Sequence, residues 1–183
     1  PDWLDPGNWD SQIPTPGDDV IFAPSPTSVQ DTFLNSTNWL LGSLHFQNSR
    51  EIRFSGGTIT LTSNIVKDVG TPRIEFNSLS GTFEIVVANN CTWDMSGSQV
   101  SFYGGTGMSG PGHITRRGSA QLQFTSGNPL FTGGMTWASP AQLQMWSGLV
   151  LGSNLFEVAV TNERCQPNFQ HAGEAVYTFV PDI

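Results

Sequence analysis

The sequence predicts an all-β chain wound as a right-handed parallel β-solenoid, or β-helix, with an N-terminal cap segment. Three observations carry that expectation. Apolar residues alternate with polar ones in sets of two or three, with no helical period. Gly, Asn, Ser and Pro punctuate the gaps between the sets. The sets are too brief for an immunoglobulin-like sandwich and recur too often for a large barrel.

Residues 1–22 read as the cap and first strand. The first coil of a solenoid exposes its apolar end and an open strand edge, and Trp3 and Trp9 are large enough to plug it. Pro14 and Pro16 fix an extended approach and supply no stray donor. Gly17 and Asp18 then turn the chain into Val20-Ile21-Phe22, with the Asp18 side chain holding the turn.

Residues 23–160 read as solenoid coils. Their alternating sets are Leu44/Phe46, Ile52/Phe54, Ile59/Leu61, Ile74/Phe76, Phe83/Ile85/Val87, Val100/Phe102, Leu122/Phe124, Leu143/Met145, Leu149/Leu151 and Phe156/Val158/Val160. Each set points its side chains to one face, so strands of three to five residues are expected. Asn, Ser and Thr at the corners are expected to stack in ladders. No fixed repeat length can be written down, so the coils are irregular. Residues 161–183 abandon this style and read as a C-terminal cap or assembly arm. Its apolar strand over 175–180 invites aggregation unless paired.

At 183 residues the chain suits one domain. Only 12% of residues are charged while 11% are aromatic, which argues against disorder. The net charge is −8, and only Arg116 and Arg117 are adjacent among the basic residues. Nucleic acid and membrane insertion are therefore excluded as expectations. Low charge with abundant Ser, Thr and Asn accords with secreted and cell-surface β proteins. The chain opens at Pro1, which reads as a mature product, an excised domain or part of something longer.

Candidate chemistry is sparse. Cys91 and Cys165 allow either one disulfide or two buried thiols, and lie too far apart for a CxxC motif. Asp18 and Asp19, with Asp10 upstream, are the candidate metal ligands. At a strand start the two neighbours point in opposite directions, and no EF-hand or calcium-roll spacing accompanies them. No cofactor is expected. His45, His113 and His171 are unlinked by any zinc motif and read as surface residues. Glycoside hydrolysis needs two carboxyls about 5 to 10 Å apart. Among Glu51, Glu75, Glu84 and Asp94, the pair Glu75 and Glu84 faces outward and is expected to stack on neighbouring coils. Trp39, Trp93, Trp137 and Trp146 offer a sugar platform, but Trp137 aligns with apolar strand positions and Trp93 lies between turns. Core or corner packing is the expectation. Asn35 and Asn90 satisfy the glycosylation sequon, which matters only in a eukaryotic host.

One stretch carries a family resemblance. In residues 109–145, Gly118 leads a strand with Leu122 and Phe124, and Ser126-Gly127-Asn128 makes a turn. Phe131 precedes the second turn, Thr132-Gly133-Gly134, and Leu143 with Met145 closes the unit. This resembles the autotransporter-associated β-strand repeat of bacterial surface passengers. It departs at Pro129, at Pro140-Ala141 where glycine is usual, and at Arg117 where a small residue is usual. The opening residues Trp3, Asn8, Trp9, Pro14, Gly17, Asp18, Val20 and Phe22 look like the first segment of such passengers. They also resemble the extracellular N-terminal region of amnionless-type receptor subunits.

The resemblance implies a non-enzymatic structural or adhesive module of a secreted or cell-surface protein, part of a larger chain or a self-assembling filament. Its implied partners are further copies, other surface proteins and polysaccharide. A carbohydrate-active β-helix enzyme, or a receptor ectodomain carrying glycans at Asn35 or Asn90, are the alternatives.

Overall fold

The computed structural model describes residues 2–24, 30–47, 51–76, 82–103, 106–125, 130–139, 141–145, 156–158 and 166–169. These residues form a parallel β-solenoid with almost no helix, apart from one 3-10 turn at Pro6–Asn8. The first coil carries β1 (Val20–Phe22) and β2 (Gln30–Leu41). The next two carry β3 (Leu44–Phe46) and β4 (Ile52–Leu61), then β5 (Ile65–Lys67), β6 (Ile74–Phe76) and β7 (Phe83–Val87). There follow β8 (Cys91–Met95), β9 (Val100–Phe102) and β10 (Thr106–Ser109), then β11 (Ile114–Arg117) and β12 (Leu122–Phe124). The last are β13 (Met135–Trp137), β14 (Gln142–Met145), β15 (Phe156–Val158) and β16 (Gln166–Phe169).

The described strands lie on three faces. The first face is a 7-stranded sheet ordered β1-β3-β5-β8-β11-β13-β15. The second runs β4-β6-β9-β12-β14-β16, and the third holds the C-terminal halves of β2 and β4 with β7 and β10. All these pairings are parallel. On the first face, partners such as Val20 and Leu44, Leu44 and Ile65, Ile65 and Trp93, Cys91 and Ile114, Ile114 and Met135, and Met135 and Phe156 set the coil lengths. These are irregular early and settle near 21 residues later, because the turns absorb the differences while the strands keep register.

Two strands exceed the expected three to five residues. β2 has 12 residues and β4 has 10, because both continue around the corner between the second and third faces. Gly56 (φ 70°) and Gly57 (φ 149°) let β4 make that bend, so Ile52–Phe54 pair with β6 while Gly57–Leu61 pair with β7.

The core is a column. Phe54, Phe76, Phe102 and Phe124 stand in register on the second face, with ring centroids 5.1, 4.7 and 4.8 Å apart in stacked pairs. They come from successive strand sequences EIRF, RIEF, QVSF and QLQF, each with its aliphatic and aromatic residues inward. Threonines after the strands lock the coils. The hydroxyls of Thr62, Thr71, Thr106 and Thr125 donate to the carbonyls of Leu41, Phe46, Phe76 and Phe102 one coil back. At the corner before the first face, the Asp19 carboxylate accepts from Ser43, Asn64 from the Thr92 amide, and Asn90 from the His113 amide. The corner side chains expected to stack on one another bond chiefly to the backbone of the neighbouring coil instead.

The N-terminal plug also forms. Trp3 is buried, packed edge-on against Trp9 and Trp39 at 5.2 Å each, and Trp9 Nε1 donates to the Trp3 carbonyl. The Trp3 and Gly17 amides donate to the Phe33 and Leu40 carbonyls, covering part of the open edge of β2. Residues 175–180, expected as a terminal strand, lie outside the described residues.

Candidate functional site

The sequence-selected residues divide by where the solenoid places them. Asp18 accepts from the Thr15 amide at 2.7 Å and from its hydroxyl at 2.9 Å. Those bonds, the backbone one first, hold its carboxyl below the usual carboxylate range. Asp19 is spent on Ser43, at 2.7 Å to the amide and 2.6 Å to the hydroxyl. The two aspartates thus do separate work: one holds the turn, the other clasps the second coil. With Asp10, Gln12 and Trp9 they line an open groove of about 390 Å³ below the cap. Among the described residues no three His, Cys, Asp or Glu side chains gather as a metal site requires, and no helix is long and apolar enough to cross a membrane.

Glu75 and Glu84 are not neighbours on successive coils. Glu75 lies on β6, opposite Arg53 and Ser101, and Glu84 lies on β7, opposite Thr58 and Gly107. They belong to the same coil and to different faces, because the chain turns a corner between them. Alternation alone gave each its outward direction but not its face. Glu75 sits between two cations, with Arg53 Nε at 3.2 Å and Arg73 Nε at 3.0 Å. Arg53 also holds Glu51 at 3.1 Å, and that bond raises the guanidinium's affinity for its proton. Arg73 lies over the Tyr103 ring, 5.3 Å from its centroid. Glu84 accepts from the Ser109 hydroxyl at 2.5 Å.

On the first face, His45 Nε2 meets Asp68 at 3.0 Å. His113 spans a coil boundary, with Nδ1 3.0 Å from the Gly133 carbonyl and Nε2 2.8 Å from the Thr136 hydroxyl. His171 and Trp146 lie outside the described residues.

No sugar platform is built from Trp39, Trp93 or Trp137. All three are buried, Trp39 beneath the cap and the others within the first-face interior. Trp93 is in β8 rather than between turns, since its strand runs on from Cys91. Cys91 is a buried free thiol, and burial pushes it up to about 11. Cys165 lies outside the described residues. Asn35 is exposed with φ 54°, and its side-chain amide donates to Asp2. Asn90 is exposed and caps His113.

Sequence reasoning missed two interior cations. Lys67 and Arg116 occupy inward positions near the C-terminal ends of β5 and β11, 2% and 0% exposed. Lys67, the chain's single lysine, donates to the Thr71 and Ser96 carbonyls at 2.7 Å each. Burial, aided by the charge of Arg116, pulls its pKa down to about 8. Arg116 stands in register between Trp93 and Trp137, with its guanidinium 5.1 Å from the Trp137 centroid. It donates to the Gly118 and Ala120 carbonyls, and burial lowers it to about 10. The signal was available: each lies two residues after an inward Ile, at Ile65 and Ile114.

No protein-family model, curated protein or solved structure matches this chain.

Proposed function

We propose that the chain is a non-enzymatic structural and contact module of a secreted or cell-surface protein, one stiff segment of a larger chain or filament. One observation supports this reading most directly. Outward titratable groups on each of the three faces are engaged between coils: Asp19 with Ser43, His45 with Asp68, Arg53 with Glu75, and Glu84 with Ser109. Groups committed in this way brace a stack of coils. The dispersal of Glu75 and Glu84 onto different faces also counts against an enzyme that pairs them across a glycosidic bond.

The test is incubation with a panel of soluble neutral and acidic polysaccharides, followed by assay of new reducing ends. No release above buffer is the expected result. Turnover that disappears in Glu75→Gln would overturn the reading in favour of the enzyme. Light scattering across a dilution series tests the filament: growth of mass with concentration supports it, and a strict monomer sinks it.

A further inference from the structure

The outer surface of the second face divides into two parts. Its strand sequences EIRF, RIEF, QVSF, QLQF and QLQM place a long polar residue before, and usually also after, each inward aliphatic one. Register stacks Arg53, Glu75, Ser101, Gln123, Gln144 and Asn168 in one column. At the N-terminal end the lane is charged, and its ions neutralise one another. From β9 onward it is uncharged and rich in amides.

Within that amide part, Gln99 and Ser101 both donate to the Gln123 carbonyl oxygen, which fixes the first row. Gln121, Gln142 and Gln144 are half-buried, and their side-chain amides bond to no other described residue. The rigid sheet fixes the spacing of the rows, and each amide offers both donors and an acceptor. Rows repeat at about 4.8 Å, the parallel-strand spacing, which is close to the length of one sugar ring. Tyr103, half-buried beside Ser101 and held by Arg73, closes the lane with an aromatic ring.

We propose that this lane binds a neutral polysaccharide lying along the solenoid axis, its hydroxyls bridging successive Gln rows. The inference rests on the contact-module reading above and names its ligand class. The absence of charge over the amide rows matches a neutral polymer and gives nothing to hold an anionic one. A peptide would seek a strand edge, whereas these strands are paired on both sides from β4 to β14.

Native electrophoresis through gels holding hydroxyethyl cellulose, arabinoxylan, dextran or polygalacturonate tests the proposal. Retardation by at least one neutral polymer is expected. The triple variant Gln121→Ala, Gln142→Ala, Gln144→Ala should weaken it about ten-fold or more, as the loss of several hydrogen bonds implies. Thr115→Ala, outward on the first face, should leave it unchanged. If the triple variant melts early, Gln144→Glu alone should still lower the affinity. Retardation only by polygalacturonate, retardation by no polymer, or retardation indifferent to both Gln variants would overturn the lane. So would a dimer abolished by the triple variant without any retardation, which would make the lane a contact between copies. Binding accompanied by new reducing ends would leave the lane standing and remove only the non-enzymatic reading.

Discussion

Two parts of the interior are filled in opposite ways. Along the second face, Phe54, Phe76, Phe102 and Phe124 stack ring on ring, and burial of apolar area alone favours them. Near the ends of two first-face strands, Lys67 and Arg116 bury charge with no carboxylate among the described residues in contact, held by turn carbonyls. Arg116 Nε finds no acceptor among the described residues. The difference lies in the backbone. A strand turns its carbonyls to the neighbouring coil, so its inward side is apolar. A turn leaves carbonyls without strand partners, and a long cation reaching from the preceding strand can satisfy them. The inward cations thus sit at strand ends from which they reach turn carbonyls, while their register partners Phe46, Met95, Trp93 and Trp137 are apolar.

That contrast can be broken at its strongest point first. Phe102→Ala removes a ring that stacks on both Phe76 and Phe124, and should cost about 3–5 kcal/mol. Denaturant titration would show it, and a loss below 1 kcal/mol would mean the column relaxes freely. The corner should be next. Gly118 has φ 83°, a Cβ there would strike the Met95 carbonyl oxygen, and its own carbonyl accepts from Arg116. Gly118→Ala should cost about 2 kcal/mol through the left-handed backbone and the clash. A neutral melting shift would show that the turn has room to move.

The smallest effect is the most specific. Lys67 has a folded pKa of about 8 against an ordinary value of 10.5. Between these values the unfolded chain holds the proton more tightly, so stability rises as pH climbs through 8 and levels off near 10.5. From pH 7 to 9 the gain should be about 1 kcal/mol, and Lys67→Met should abolish it. Above pH 9 the buried Cys91 works the other way, since its unfolded thiol ionises first. A wild-type curve that is flat from pH 7 to 9 would place the Lys67 amine in water.

Much of the architecture was legible in the residues themselves. The alternating sets gave β4, β6, β7, β9, β12 and β14 with their inward residues, and the tryptophans announced the plug. The candidate site was less so. Alternation assigned Glu75 and Glu84 their outward direction, yet the pair fell on different faces. The Gln rows were present in QLQF and QLQM, but that they share a lane depends on register.

By itself, then, the sequence determined what is local: strand period, turn chemistry and which side of each strand meets the core. These follow from the backbone geometry of neighbouring residues. Only the tertiary structure decided which strands share a face, where long strands bend, and that Lys67 and Arg116 point inward. Each of those depends on residues 21 to 28 positions apart coming into register, as between Ile114 and Met135 or Ile65 and Trp93, and no local period encodes that distance.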